Sequence, residues 1–240
     1  MTARSSPRNR PRIRVAIDGP AGVGKTTTAK AVARDLGLLY VDTGAMYRAL
    51  AVLAAAAGIS PDDPEGASAL ARSLRIRLTQ DNEGGLRVEA DGRDLTEAIR
   101  TPEASDGSSR ISVHPGVRAE LVRWQRSLAK KRGVVMEGRD IGTVVLPDAE
   151  AKIFLTASSE ERARRRHREL VSRGAGVAFT AVLRDIEERD ARDRGREASP
   201  LRPAPDAVVV DCTALDVNAQ VSAVRRVVEA LTAPPEAARD

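Results

Sequence analysis

The sequence has 240 residues but contains few of the side chains on which several protein classes depend. It has one cysteine, Cys212, two histidines and only five aromatic residues. A single cysteine cannot form an internal disulfide, and no histidine lies near Cys212 in the sequence, so a disulfide scaffold and a zinc site are excluded. Because aromatic residues make up 2% of the chain, we expect a core of Ala, Val, Leu and Ile.

Long apolar runs are also missing. No stretch of about 18 apolar residues is present, which excludes a membrane-spanning helix. The basic residues before position 13 are not followed by an apolar segment, which excludes a secretory signal as well. We therefore expect a cytosolic protein without a membrane partner.

A net charge of +5 could indicate a nucleic-acid-binding protein, but most of this charge lies in one short segment. Residues 1–12 contain four arginines and no acidic residue, and without those arginines the net charge would be +1. Their Pro-, Arg- and Ser-rich composition is typical of a disordered segment. We expect a disordered basic tail over 1–12, a flexible end over 234–240 and no nucleic-acid partner, since few rings are present to stack on bases.

The most informative segment is Gly19–Thr26, which matches the phosphate-binding pattern G-x-x-x-x-G-K-[ST]. An apolar run at 13–17 predicts a strand before it, and a helix is predicted from Lys25. Such flanks disfavour a chance match in a glycine-rich turn, because glycines let successive backbone N–H groups point at one anion. Lys25 supplies a mobile ammonium group and Thr26 a hydroxyl group for Mg²⁺. The residues expected to bind ATP are Gly19, Pro20, Ala21, Gly22, Val23, Gly24, Lys25, Thr26 and Thr27.

The remainder of the chain predicts a parallel α/β sheet with an antiparallel insertion. Residues 74–79 and 86–91 alternate apolar and polar side chains, which predicts a hairpin with a turn at 81–85. Residues 158–196 are expected to be almost entirely helical, beginning with a capping box at Ser158 and Glu161. Further strands are predicted at 38–41, 133–136, 151–155 and 207–210, and further helices over 45–57, 117–131 and 217–231.

Three polar clusters are candidates for the site. Asp42–Arg48 opens a predicted helix, where Thr43 is equally compatible with a plain helix N-cap. Glu137–Asp140 follows an apolar strand, at the sheet edge where parallel sheets collect ligand groups. Glu188–Arg196 is compatible with a solvated helix held by ion pairs, or with a movable arm that brings guanidinium groups to a phosphoryl group.

Together these motifs resemble those of the bacterial cytidylate kinases, which are P-loop nucleoside monophosphate kinases. The motifs are, in chain order, Ile17–Lys25, Asp42–Arg48, Ile99–Glu103, Glu137–Val145, Phe154–Arg162 and Glu188–Arg194. They occur in the same order as in the family, and the resemblance spans residues 13 to 231. The first motif belongs to many families, whereas the second and fourth together distinguish this family from adenylate, guanylate and thymidylate kinases.

The resemblance implies a single P-loop kinase domain over 13–233. Its core would comprise 13–42, 133–160 and 200–233, and its acceptor-binding region with the antiparallel insert would comprise 43–132. A helical lid would lie at about 161–198. The implied reaction is ATP-dependent phosphorylation of CMP and dCMP with Mg²⁺, by a protein that we expect to be a monomer.

The resemblance also implies roles for individual residues. Arg48 and Arg139 would hold the acceptor phosphate, because guanidinium groups bind phosphate through paired hydrogen bonds. Asp140, with a serine and an arginine, would match the donors and acceptors of cytosine. The implied substrate-binding residues are Thr43, Arg48, Arg100, Ser109, Arg118, Arg139, Asp140, Asp193 and Arg196. The implied catalytic residues are Lys25, Arg139, Arg189 and Arg192.

Three other functions are alternatives to a cytidylate kinase. A GTPase requires a guanine-reading Asn-Lys-x-Asp motif, which the sequence lacks. A nucleic-acid-stimulated ATPase would account for the basic tail but not for the scarcity of aromatic residues. A P-loop kinase of another small acceptor, such as UMP or a metabolite, is the nearest alternative.

Overall fold

A computed structural model describes residues 13–80, 86–130, 132–172 and 174–233 of the protein. Its centre is a five-stranded parallel sheet of order β2-β6-β1-β7-β8, which confirms the predicted fold class. The tail 1–12, the end 234–240 and the hairpin turn 81–85 lie outside the described residues. The strands of this sheet are β1 (Arg14–Asp18), β2 (Leu39–Asp42), β6 (Val134–Gly138), β7 (Ala151–Thr156) and β8 (Val208–Asp211).

The two central strands explain why the site forms at one edge of the sheet. β1 is covered on both faces and β6 is buried at every position, as expected for a parallel sheet between helical layers. β1 pairs with β6 on one side and β7 on the other, and Ile17 lies opposite Glu137. The segment after β1 therefore begins beside the polar residues that end β6.

Helices cover both faces of this sheet. On one face α1 and α8 pack with β1 and β7 through aliphatic side chains, and Cys212 is fully buried in that cluster. On the other face α5 packs over β6. The helices are α1 (Lys25–Leu36), α2 (Thr43–Ala56), α3 (Pro64–Ser73), α4 (Pro102–Ile111), α5 (Pro115–Ala129), α6 (Ser159–Ser172), α7 (Phe179–Gly195) and α8 (Val217–Thr232).

The antiparallel insertion was predicted, and it has one more strand than expected. A three-stranded sheet runs β3-β4-β5, with β3 at Ile76–Gln80, β4 at Leu86–Ala90 and a short β5 at Arg93–Asp94. It packs with α2, α3 and α5 in a separate apolar cluster, where the half-buried Trp124 is also found. Trp124 is thus a packing residue.

Helices α3 and α4 were not predicted. Both are rich in Ala, Ser and Gly, and each contains only one large apolar residue, so few apolar side chains mark the buried face. Each nevertheless starts with a recognisable signal, a capping side chain followed by proline: Asp63 accepts backbone N–H groups at the start of α3, and Thr101 does so at the start of α4.

The charged segment 158–196 folds into two helices, not one continuous stretch. α6 and α7 pack against each other through Ala163, Val182 and Ile186. Ser158 accepts the backbone N–H of Glu161 at 3.2 Å, as the capping pattern predicted. We call this pair of helices the helical arm. No helix in the described part of the chain is long and apolar enough to cross a membrane.

Candidate active site

One cleft of about 1880 Å³ brings the predicted site residues together. The segment after β1, the starts of α2 and α4, the end of β6 and the helical arm all line it. Three residues of the loop, Gly19, Pro20 and Val23, are buried and do not line the cleft. The expected ATP-binding residues that line the cleft are Ala21, Gly22, Gly24, Lys25, Thr26 and Thr27. The expected acceptor-binding and arm residues that line it are Thr43, Arg48, Arg100, Ser109, Arg118, Arg139, Asp140, Arg189, Arg192, Asp193 and Arg196.

The start of α1 is built to accept an anion. Gly22 and Gly24 have φ values of 74° and 93°, a left-handed conformation that favours glycine. α1 has no side-chain cap at its N-terminus and no acidic residue in its first turn. Its first backbone N–H groups therefore have no intrahelical partner, and the positive end of the helix dipole faces the loop.

Lys25 is buried in this loop and donates a 2.8 Å hydrogen bond to the backbone oxygen of Pro20. Burial and the nearby guanidinium of Arg139 lower its pKa well below the ordinary value for lysine, while Glu137 acts in the opposite direction. A phosphate group bound in the loop would stabilise the charged ammonium form.

Glu137 lies at the end of β6 and is almost completely buried. Its Oε1 accepts a 2.6 Å hydrogen bond from the hydroxyl of Tyr40. Burial and the neighbouring carboxylate of Asp42 raise the pKa of Glu137, whereas Lys25 and a hydrogen bond with Thr26 lower it. The sequence analysis included Glu137 in a candidate cluster without linking it to Thr26; an acid at the end of an apolar strand that pairs with β1 is the signal that connects them.

These side chains suit a small divalent cation. The hydroxyl of Thr26 and the carboxylate of Glu137 supply the oxygen atoms that Mg²⁺ prefers. Among the described residues, no three His, Cys, Asp or Glu side chains are grouped as a complete metal site. Mg²⁺ would therefore complete its shell with water and nucleotide phosphates, as it commonly does.

Asp42 organises the start of α2. It accepts the backbone N–H of Ala45 at 2.9 Å and pairs with Nη2 of Arg48 at 2.9 Å. The helix N-cap is thus Asp42, and the interpretation of Thr43 as the N-cap is wrong. Thr43 instead donates a 2.7 Å hydrogen bond to the backbone oxygen of Glu137, which joins α2 to the end of β6.

Two arginines of the arm reach across the cleft to α4. Nη1 of Arg189 donates to Ser105 at 2.7 Å, and Nη2 of Arg192 pairs with Asp106 at 3.1 Å. Burial lowers the pKa of Arg189 to about 10, and repulsion from other guanidinium groups, that of Arg139 above all, adds to the effect. The cleft therefore contains four guanidinium groups that lie close enough to repel one another, those of Arg48, Arg139, Arg189 and Arg192.

Three carboxylates partly balance the charge of this cluster. Asp193 accepts a 2.8 Å hydrogen bond from Nε of Arg139, and the surrounding arginines lower its pKa despite burial. Arg48 and Arg192 pair with the two aspartates described above. Four guanidinium groups against three carboxylates leave a net positive charge, which is typical of an anion-binding centre.

A second buried polar group lies deeper on the α5 side. Arg118 forms an ion pair with Asp140, and both side chains are more than nine-tenths buried. The guanidinium of Arg118 also lies 5.8 Å from the centre of the Tyr47 ring. Nε of Arg118 and Nη2 of Arg196 are buried without a hydrogen-bond partner, so this pocket retains unused donors.

The two candidate serines of α4 are in different environments. Ser109 accepts a 3.2 Å hydrogen bond from Nε of Arg192, whereas Ser108 donates to the backbone oxygen of Ser105 within its own helix. This difference favours Ser109 as the ligand-facing serine. Arg100 lies at the rim, half exposed, where it donates to the backbone oxygen of Thr96 at 3.1 Å.

The sequence analysis missed a set of contacts behind the loop. Arg162 pairs with Asp190 at 2.6 Å and also donates to the backbone oxygen of Ala21 at 3.1 Å. From α8, Gln220 donates to the backbone oxygen of Val23 at 3.0 Å and to the hydroxyl of Thr28 at 2.9 Å. These buried contacts fix the loop from both sides. No local sequence pattern marks them, since the partners are far apart in the chain.

Comparison with known proteins agrees with this geometry. Residues 15–230 match the family model described as cytidylate kinase. The cytidylate kinase of Pelotomaculum thermopropionicum is 52% identical over 219 residues, which cover 88% of this chain and 97% of that protein. That of Desulfitobacterium hafniense is 52% identical, covering 86% of this chain and 88% of its own. The cytidylate kinase of Carboxydothermus hydrogenoformans is 48% identical, and the alignment covers 88% of this chain and 94% of that protein. A phosphate-binding loop facing a cluster of arginines, together with these relatives, shows that the chain belongs to the cytidylate kinase family.

Proposed function

We propose that this protein transfers the γ-phosphoryl group of ATP to the phosphate of CMP and dCMP. The observation that carries the proposal is the pairing of two anion sites in one cleft. The loop before Lys25 would hold the donor, and the guanidinium groups of Arg48 and Arg139 would hold the acceptor. The names and high identities of the relatives support cytidine as the acceptor base.

The reaction requires little covalent participation by the protein. The acceptor phosphate has a second pKa of about 6, so its attacking oxygen is already ionised for much of the time at neutral pH. We therefore assign no general base. Catalysis would come from alignment of donor and acceptor and from neutralisation of charge on the transferring group.

Each charged residue has a place in this scheme. The backbone N–H groups of the loop and Lys25 would bind the ATP phosphates. Thr26 would hold Mg²⁺, with Glu137 near enough to bind its water molecules. Mg²⁺, when bound, would neutralise charge on the phosphate oxygens.

The helical arm would act as the lid. Arg189 and Arg192 contact the acceptor side through Ser105 and Asp106. On substrate binding we expect their guanidinium groups to turn to the transferring phosphoryl group. Closure would also exclude water, which would otherwise hydrolyse ATP.

The buried pocket beside α5 would recognise the base and sugar. Asp140 would accept a hydrogen bond from the exocyclic amine of cytosine, and Arg118 and Ser109 would donate to its carbonyl oxygen and ring nitrogen. Uracil would place a carbonyl oxygen against the carboxylate. Asp193 and Arg196 would contact the ribose end, with Thr43 near the base.

An ADP-release assay with CMP, dCMP, UMP, AMP and GMP tests the proposal. We expect CMP and dCMP to be preferred, and no ADP to form without Mg²⁺. Preference for UMP or for a non-nucleotide acceptor would favour the alternative kinase function. ADP release that requires added DNA or RNA would replace the proposal with a nucleic-acid-stimulated ATPase. We expect the active species to be a cytosolic monomer.

A further inference from the structure

Asp18 is the last residue of β1 and directly precedes the phosphate-binding loop, yet its side chain does not enter that loop. It is 5% exposed, and its two carboxylate oxygens point toward the segment that follows β6. Oδ1 accepts the backbone N–H of Ile141 at 2.8 Å, and Oδ2 accepts that of Gly142 at 2.7 Å. One carboxylate thus binds two successive backbone donors from a distant part of the chain.

These donors open an unusual turn. Ile141–Val145 is a π-helical segment, a form that is rare and frequently found at functional sites. The first N–H groups of a helical segment have no partner within it and need an external acceptor. Asp140 occupies the N-cap position but makes no capping hydrogen bond, because its carboxylate pairs with Arg118. Asp18 supplies the cap that Asp140 does not.

The turn held in this way carries the acceptor-binding residues. Arg139 and Asp140 lie between the end of β6 and the π-helical segment, so the path of the chain after Asp140 sets the direction of both side chains. The turn is tight: a Cβ atom at Gly138 would lie 2.7 Å from both the Ile141 side chain and the Thr43 hydroxyl.

We propose that Asp18 is a positioning residue that joins the donor loop to the acceptor site by fixing the backbone turn after Arg139 and Asp140. It would touch neither substrate and would act through the amides of Ile141 and Gly142. This inference rests on the proposed function, because it assigns Arg139 and Asp140 to the acceptor.

The charges around Asp18 are consistent with this role. Asp140 follows β6, Lys25 lies on α1, and the stem of Lys152 on β7 packs near Gly142. Burial raises the pKa of Asp18 to about 7, with Asp140 adding to the rise, while the two amides and Lys25 lower it. The two backbone hydrogen bonds therefore offset only part of the cost of burying this charge.

The test compares Asp18→Asn with Asp63→Asn. Asparagine has the same shape as aspartate, but an NH₂ group replaces one of the two carboxylate oxygens. This NH₂ group would face a backbone N–H group, and two donors cannot form a hydrogen bond with each other. Asp63 is a matched control, because its carboxylate also accepts two backbone N–H groups, at 3.1 and 3.0 Å, at the exposed start of helix α3. We expect Asp18→Asn to raise the KM for CMP by about tenfold or more with the KM for ATP within about twofold, and Asp63→Asn to change neither.

A spectroscopic measurement without substrate accompanies the kinetics. The NMR signal of the Arg139 Nε–H, which donates to Asp193, should shift in Asp18→Asn and stay in place in Asp63→Asn. Identical kinetics and spectra in the two variants, or an equal rise in both KM values for Asp18→Asn, would overturn the inference. If Asp18→Asn does not fold, the same KM values and the same NMR signal are measured for Asp18→Ser, which has a smaller side chain. Loss of folding in both variants would assign Asp18 a purely structural role.

The wild type separates this inference from the function on which it rests. A wild type without CMP kinase activity rejects the proposed function. If the wild type is active and Asp18→Asn behaves like Asp63→Asn, only the role of Asp18 is rejected and the proposed function stands.

Discussion

The hydroxyl of Tyr40 and the carboxylate of Glu137 are joined by a 2.6 Å hydrogen bond that connects the neighbouring strands β2 and β6. The bond fixes one carboxylate oxygen of Glu137. The side chain as a whole remains beside Thr26, at the place where we expect Mg²⁺.

Glu137→Gln should therefore weaken the response to Mg²⁺. The substitution keeps the size of the side chain and removes its negative charge. We expect the Mg²⁺ concentration for half-maximal rate to rise by about tenfold or more, with a small change in the KM for CMP. Steady-state rates over a Mg²⁺ titration measure this. Glu229→Gln, on the exposed face of α8, is the control, and an unchanged Mg²⁺ requirement in Glu137→Gln would remove Glu137 from the metal site.

Lys25→Ala should lose most of the turnover. The ammonium group would bind phosphate oxygens on which charge grows during transfer, and removal of one such donor commonly costs about 100-fold or more in kcat. The affinity for CMP should fall only modestly. Initial-rate kinetics with both substrates, with the exposed Lys130→Ala as control, measure the two effects. A kcat close to that of the wild type would refute the role of Lys25.

Arg139→Ala should act chiefly on the acceptor. It removes a guanidinium group that we assign to the CMP phosphate and leaves Asp193 without its closest partner. We expect the KM for CMP to rise by about tenfold or more, since hydrogen bonds to charged groups are among the stronger ones. The control is Arg123→Ala, an exposed position outside the cleft. CMP saturation identical to that of the wild type would contradict the assignment.

Asp140→Asn should relax the choice of base. The amide can donate to the carbonyl oxygen that uracil presents where cytosine has an amine. We expect the ratio of kcat/KM for CMP to that for UMP to fall by about tenfold or more. Competition between the two nucleotides in one reaction measures the ratio directly. A ratio unchanged from the wild type would place base recognition elsewhere.

Arg162→Ala should destabilise the fold more than a surface variant does. Its partner Asp190 would be left charged and buried, which typically costs about 3–5 kcal/mol. Arg225→Ala breaks the exposed pair with Glu229, for which we expect a loss of about 1 kcal/mol or less. Urea unfolding followed by circular dichroism gives both values. Equal midpoints for the two variants would show that the Arg162 pair contributes little.

Much of the fold could be predicted because its signals are local. The strand before the loop, the start of α1 at Lys25 and its end before Gly37 all follow from apolar patterning and glycine chemistry. Helices α3 and α4 were not predicted because their buried faces consist mostly of Ala and Ser, with few large apolar side chains. The break between α6 and α7 escaped because the charged sequence favours helix on both sides of it.

Site residues that belong to a local sequence motif could be predicted. Residues that depend on contacts between distant segments could not. The loop and the arginines were identified by sequence, and the structure gathers them in one cleft. The contacts of Asp18, Arg162 and Gln220 join positions more than 100 residues apart or lie on different elements, so no spacing rule reveals them. The alternative in which Thr43 caps α2 was left open by the sequence, because Asp42 and Thr43 are both capping residue types and only the structure shows which one caps the helix.

Cys212, fully buried beneath α8, has consequences for experiments on this enzyme. Burial raises the pKa of its thiol to about 11, so the native thiolate is scarce and sheltered from reagents. A cysteine introduced on the arm and another on α4 would therefore be the reactive thiols for dye attachment, with no need to replace the natural one. Fluorescence transfer between two such dyes would report whether the distance between the arm and α4 changes when nucleotides bind.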